Sequence, residues 1–218
     1  MPKYLFKEID KMKEQLVALA KLVQDNLEKS LRSLAEMDES LANEVINNDV
    51  AIDRTEVDVE EECLKILALH QPVATDLRFI VGVLKINNDL ERISDMAVNI
   101  AERTIHLLKF PPLEIPGDLR VMEEKVRWMV SACIQAFVRI DGKLAHKVLL
   151  ADHTIDELNR SVYDQVKKKM HDDPDHLDAF IELLSVSRQL ERAADHCTNI
   201  AEDVVYMLGG EIIRHKPR

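Results

Sequence analysis

Apolar residues recur three and four positions apart through most of this chain, and that spacing predicts six long amphipathic helices. The first reads from Phe6 to Met37, with Ile9, Met12, Leu16, Leu19, Val23, Leu27, Leu31 and Leu34 on one side. The second runs from about Ser40 to Leu69 and stops before Pro72, because the residue ahead of a proline resists the α region. The third starts at Val73 or Asp76 and reaches about Lys109, where Pro111-Pro112 halts it. The fourth spans about Asp118 to Ile140, the fifth about Lys143 to Met170 and the sixth about His176 to Leu208. Asp141-Gly142 marks a turn, Asp175 a candidate N-cap and Gly209-Gly210 a C-cap, after which a short basic tail ends the chain. The segment PPLEIPG lies at the midpoint and divides the sequence into 1–110 and 111–218.

The polar positions repeat as well. Leu90 to Glu102, LERISDMAVNIAE, returns as Leu190 to Glu202, LERAADHCTNIAE, with eight of thirteen residues identical. Glu91, Asp95, Asn99 and Glu102, and again Glu191, Asp195, Asn199 and Glu202, fall at i, i+4, i+8 and i+11. On a helix such positions lie within an arc of about 80°. Leu41-Ala42, Val45, Asp49 and Ile52-Asp53 recur as Leu144-Ala145, Val148, Asp152 and Ile155-Asp156. The offset is 103 there and 100 for the longer motif, which predicts a turn between the second and third helices about three residues longer in the first half. Short turns make neighbouring helices antiparallel. The expected fold is therefore all-α: six long helices forming two pseudo-symmetric three-helix bundles related by an internal twofold.

Composition narrows the function classes. Five glycines and 4% aromatics argue against a sandwich or barrel. A formal charge of −11 has the wrong sign for general nucleic-acid binding. No apolar run approaches the length of a membrane span, and the opening MPKYLFKEID lacks the apolar stretch of a secretory leader. The expected compartment is the cytoplasm, with any membrane association through partners. Cys63, Cys133 and Cys197 are scattered, with no CxxC pair, and read as reduced core thiols.

The remaining chemistry is carboxylate. Asp49, Asp53, Glu56 and Glu60 form a stripe on the second helix. Its counterpart on the fifth is Asp152, Asp156, Asn159 and Tyr163, so only two acids persist there. Each half offers two acid pairs on two helices: Asp49/Asp53 with Glu91/Asp95, and Asp152/Asp156 with Glu191/Asp195. Converged acids repel one another, and a hard cation relieves that cost. The stripe lies beside the apolar arc, so any cluster is expected at the bundle surface, open to solvent. Arg92 and Arg192 are candidate counter-ions, which would make the stripes ordinary solvated faces. A carboxylate-cluster enzyme is the alternative, but no glutamate precedes a histidine by three residues as in di-iron bundles. Neither a P-loop, a Gly-x-Ser-x-Gly nor a dinucleotide fingerprint is present. His106 and His196 read as edge histidines.

Gln71 to Glu102, QPVATDLRFIVGVLKINNDLERISDMAVNIAE, together with the second copy and the paired acids, resembles the PhoU family of phosphate-transport regulators over essentially the whole chain. That resemblance implies an all-α protein of two three-helix bundles, cytoplasmic and not an enzyme. It implies action with the phosphate ABC transporter and with the sensor histidine kinase of the phosphate regulon, repressing the regulon when phosphate is plentiful. Some members carry multinuclear iron or another metal on E(D)xxxD pairs and others none; manganese, magnesium and zinc are the further candidates here. By position those pairs fall on Asp49/Asp53, Glu91/Asp95, Asp152/Asp156 and Glu191/Asp195, with Asn99 and Asn199 as hydrogen-bonding neighbours. Asn159 and Tyr163 depart from the first-half stripe. Asp76 and Arg78 also match the family pattern and read as a helix cap with an ion pair. A homodimer is expected from apolar arcs wider than two three-helix layers cover.

Overall fold

The computed structural model describes residues 2–210; the basic tail falls outside them. Six α-helices follow one another: α1 Pro2–Glu36, α2 Glu39–His70, α3 Ala74–Leu107, α4 Gly117–Arg139, α5 Gly142–Asp172 and α6 Leu177–Gly209. A 3-10 turn, Pro174–His176, precedes α6. No strand occurs among the described residues.

The first turn of each half is built alike. Met37 and Ile140 adopt positive φ, 52° and 48°, which ends α1 and α4. Asp38 then caps α2 by accepting from Leu41 N at 3.0 Å, and Asp141 caps α5 by accepting from Lys143 N and Leu144 N at 3.0 and 3.1 Å. Gln71, in the left-handed region, closes α2 ahead of Pro72, and Gly210 closes α6 at φ 68°.

Two local expectations fail. Asp175 is not a cap: it lies inside the 3-10 turn, and His176, the residue before α6, caps it with no side-chain hydrogen bond. The three-residue surplus of the first half is not in the turn. That connection is residues 71–73 in the first half and 173–176 in the second. The surplus sits mainly at the start of α3, which begins seventeen residues before Glu91, whereas α6 begins fourteen before Glu191. Proline at 174 holds the corresponding turn in tighter 3-10 form. Asp76 likewise makes no side-chain cap on α3. Arg78 contacts Thr75 and lies against Gly210 at the end of α6, so it does not pair with Asp76.

Side-chain bonds fix the directions. Lys11–Glu62 and Lys29–Glu44 run α1 antiparallel to α2, and Asn87–Glu56 with Ser94–Asp49 do the same for α2 and α3. In the centre α3 and α6 are antiparallel, joined by Asp89–His196 and Arg103–Glu182. Within each half all three helices touch one another. Between halves, α3 against α6 is the most extensive contact in the molecule, and α1 meets α4 along a lighter seam. Helices α2 and α5 touch only their own halves. The apolar positions of both halves merge into one core, from Ile9 through Leu90 and Leu190 to Met207. Cys63, Cys133 and Cys197 are buried in it as free thiols.

Candidate functional site

Helix α2 packs along α3, and the acids of the first half meet in the groove between them. Asp49 Oδ1 accepts from Ser94 Oγ at 2.9 Å, and Asn87 Nδ2 donates to Glu56 Oε1 at 2.8 Å. Burial raises the Asp49 pKa, and the charges of Asp53 and Asp95 raise it further against the Ser94 hydrogen bond. Glu91 is raised by burial, then by Asp95, with Asp53 and Glu56 adding to it and Arg92 opposing. Glu56 is raised by burial, Glu60 and Asp53. The second half repeats the arrangement between α5 and α6. Glu191 is raised by burial, then by Asp195, Asp156 and Asp152, with Arg188 opposing. Asp195 is raised by burial, then by Asp152 and Asp156, against His196 and Arg188. All eight acids predicted from the sequence thus fall into two sets, one per half, whose members feel one another's charge.

The placement differs from the expectation in three respects. First, the sets are not fully open to solvent: the Glu91 and Glu191 side chains keep only 22% and 16% of their exposure. The cause is the depth of the helix–helix groove, since the neighbouring positions Ile93, Ser94, Ala193 and Ala194 are core residues. Second, Arg92 pairs with Glu91 and Asp95 at 3.3 and 3.0 Å as expected, but the counter-ion of the second set is Arg188, 3.2 Å from Glu191. Arg192 is exposed and not among the groups that oppose the raised acids. Third, neither asparagine donates to a carboxylate of its own set. Asn99 Nδ2 bonds the Asp95 carbonyl one turn back, at 2.8 Å. Asn199 Nδ2 crosses to Asp89 on α3, at 3.1 Å, where His196 Nδ1 also meets the same oxygen at 2.8 Å. His196 is therefore part of the contact between halves and not an edge residue.

The donor chemistry fits a hard cation. Each set presents carboxylate oxygens only, and in each a buried oxygen, Oε2 of Glu91 and Oε2 of Glu191, makes no hydrogen bond. The nearby arginine nitrogens lie at 3.3 and 3.2 Å but outside hydrogen-bonding geometry to those atoms. As the side chains stand, no three His, Cys, Asp or Glu among the described residues form a ready-made metal cage. Rotation of exposed groups such as Asp53 would have to complete one.

Sequence reasoning passed over what stands behind the acids. Ser94, fully buried, donates to Asp49 and receives Asn26 Nδ2 at 3.3 Å, so a polar chain runs from α1 through α3 to the carboxylate. The signal was available: Ser94 is one of the five positions at which the two copies of the motif differ, and its counterpart is Ala194.

Comparison with known proteins gives a consistent answer. A family model described as the PhoU domain matches the chain twice, at residues 16–104 and 119–204. The phosphate-specific transport system accessory protein PhoU homologue of Aquifex aeolicus is 42% identical over 212 residues, 97% of this chain and 96% of that one. The corresponding homologue of Pseudomonas putida is 36% identical over 95% of this chain and 82% of its own. Among solved structures, PhoU from Pseudomonas aeruginosa superposes with a TM-score of 0.91 at 33% identity, covering 94% of this chain and 99% of that one. The phosphate transport system regulatory protein PhoU from Streptococcus pneumoniae superposes at 0.89 with 28% identity, covering 96% and 99%.

Proposed function

Since this chain belongs to the PhoU family, we propose that it is a non-enzymatic accessory protein of phosphate transport. In this reading it works in the cytoplasm, couples the phosphate ABC transporter to the sensor histidine kinase of the phosphate regulon, and represses the regulon when phosphate is plentiful. The observation that carries the reading is the end-to-end similarity to accessory proteins of that system, 97% of this chain at 42% identity. An adaptor needs only differential affinity: it shifts a partner between states by as much as it prefers one of them. Long helices sharing one core supply rigid faces for that purpose, and among the described residues no helix is long and apolar enough to cross a membrane. Attachment to the membrane would then be through the transporter.

Two features of the surface belong to the same proposal. The carboxylate sets are ligand sites for a hard cation, iron, manganese or magnesium ahead of zinc, which would neutralise them and tie α2 to α3 and α5 to α6. The protein is also a homodimer: Val50, Val57 and Leu64 leave an apolar stripe at seven-residue spacing on the outer face of α2, each about half exposed.

Binding to the purified transporter ATPase and to the cytoplasmic part of the kinase tests the adaptor directly. Saturable binding to at least one, with no turnover of phosphoester or peroxide substrates, is expected; no binding to either would sink the reading. Metal analysis of protein purified without oxygen or chelator tests the sites. Several equivalents are expected in the wild type, and a near-complete loss when Glu91, Asp95, Glu191 and Asp195 become amides. Equal, negligible metal in both would return the sets to partner contacts or solvated faces.

A further inference from the structure

The linker between the two halves covers a cavity that neither the carboxylate sets nor the adaptor reading uses. Its volume is about 470 Å³, and its walls come from both halves: Met37 at the end of α1, Leu107 at the end of α3, Phe110 and Leu113 of the linker, and Leu183 of α6. Pro111, Pro112 and Pro116 explain why the space persists. They fix φ and lack N–H donors, so this stretch cannot wind into helix and fill it. The walls are mainly apolar side chains. Two charged groups reach the rim, Glu114 and Arg120. Glu114 is already neutralised, 2.6 Å from Lys169 Nζ. Arg120 is exposed and makes no hydrogen bond or ion pair within 4 Å among the described residues, although its charge also reaches Glu123 on the same helix. A mainly apolar pocket of a few hundred Å³ with one directing polar group is the usual form of a small-molecule site. Here the directing group is a guanidinium, which holds a carboxylate by paired, charge-assisted hydrogen bonds.

We infer that this cavity binds a single-chain aliphatic carboxylate, its chain among Leu107, Leu113 and Leu183 and its head on Arg120. A planar two-oxygen head matches the fork of Arg120, and an aliphatic chain matches walls of leucine, phenylalanine and proline. Because the walls belong to both halves, an occupant would brace the linker against them. The proposal does not depend on the carboxylate sets or on the adaptor reading.

Titration calorimetry with decanoate on the full-length protein tests it, with decanol and decyltrimethylammonium as chain-matched controls. The expected result is one saturable site for decanoate, weakened about tenfold or more by Arg120→Gln. Leu113→Trp, which fills the cavity from the linker, is expected to abolish binding while circular dichroism and thermal unfolding stay near wild type. Absence of a saturable site overturns the inference, as do equal affinity for decanol or binding by R120Q within twofold of wild type. Undiminished binding by L113W would show that the chain lies elsewhere and overturn it as well.

Discussion

The two halves carry the same acids on the same scaffold and differ in what stands behind them. In the first half the contact between α1 and α3 is polar in its centre: Asn26 reaches Ser94, Ser94 reaches Asp49, and farther along Ser33 meets Thr104 at 3.5 Å. The corresponding residues of the second half, set by the 103- and 100-residue offsets, are Met129, Ala194, Ala136 and Val204, all buried and apolar. One contact keeps its place and changes its chemistry: Asn87 donates to the Glu56 carboxylate, whereas Ser187 donates to the Asn159 amide oxygen at 2.7 Å. The repeat has therefore preserved helix packing and the four acids of each groove, while the amide and hydroxyl of the chain Asn26–Ser94–Asp49 are replaced by apolar side chains in the second half. The first groove also has more charge, since Glu56 and Glu60 stand where the second has Asn159 and Tyr163.

The largest effect that separates the halves should come from a position where the second is the more polar one. Glu123 of α4 is buried at 7% exposure, and its counterpart in α1 is Ala20. Burial pushes its pKa from 4.5 up to about 7, against the charges of Arg127 and Arg120. A carboxyl whose folded pKa is raised favours the folded state when protonated. That contribution is complete below 4.5 and is lost as pH rises to about 7, a penalty on the order of 3 kcal/mol above neutrality. Glu123→Gln is expected to stabilise the protein by about 2 kcal/mol at pH 8 and to change little at pH 4, measured by urea unfolding at both values. A gain of equal size at both would mean that packing, and not charge, is what the substitution alters.

A smaller effect should attend the polar chain of the first half. Ser94→Ala removes the hydroxyl between Asn26 and Asp49 and leaves a buried amide without its partner, at a cost of about 1.5 kcal/mol. Adding Asn26→Met, which copies Met129 of the second half, is expected to recover most of that loss, because the unsatisfied amide goes with it. The converse, Ala194→Ser, finds a carboxylate, Asp152, in the place of Asp49 but Met129 in the place of the donor Asn26, and is expected to change stability by less than about 1 kcal/mol. A double variant no more stable than S94A alone would show that the serine supports the fold by some route other than this chain of hydrogen bonds.

The fold was legible in the sequence to within a few residues at most helix ends, because spacing of apolar residues, Asp38 and Asp141 as caps, and Gly210 and Pro72 as stops all agree locally. The pairing of the eight acids into two sets was legible for a related reason: positions four apart on two antiparallel helices can face one another in only one register. What escaped was contact across the pseudo-twofold. Asn199 and His196 both turn to Asp89, a residue of the other half whose own counterpart is Gln189, and nothing in a helix-by-helix reading brings these together. Arg188 in place of Arg192 is a miss of another kind. In the first half Arg92 reaches Glu91 from the next position, but the second half has an arginine one turn back, Arg188, where the first has Asn88, so the repeat did not point to it.

The smallest expected difference between the grooves is also the one closest to their proposed use. Asp53 raises three neighbours, Asp49, Glu56 and Glu91, and Asp156 raises two, Glu191 and Asp195. In each set the raised folded values mean that protonation supports the folded state. That support is full at pH values below the ordinary carboxylate range and disappears as pH rises through the raised values. At neutral pH both sets are therefore sources of repulsion. Removing one charge relieves it, by about 0.5 kcal/mol after allowance for solvent screening at an exposed residue such as Asp53. Asp53→Asn should stabilise more than Asp156→Asn at pH 7 in low salt, and neither should stabilise at pH 3. Magnesium or manganese should raise the unfolding temperature of the wild type at pH 7 and that of D53N by less, because the substitution removes both a repelling charge and a donor oxygen. If both variants respond to the cation as the wild type does, the acids act as a diffuse field and not as two sites, and the extra charge of the first groove has no consequence for metal.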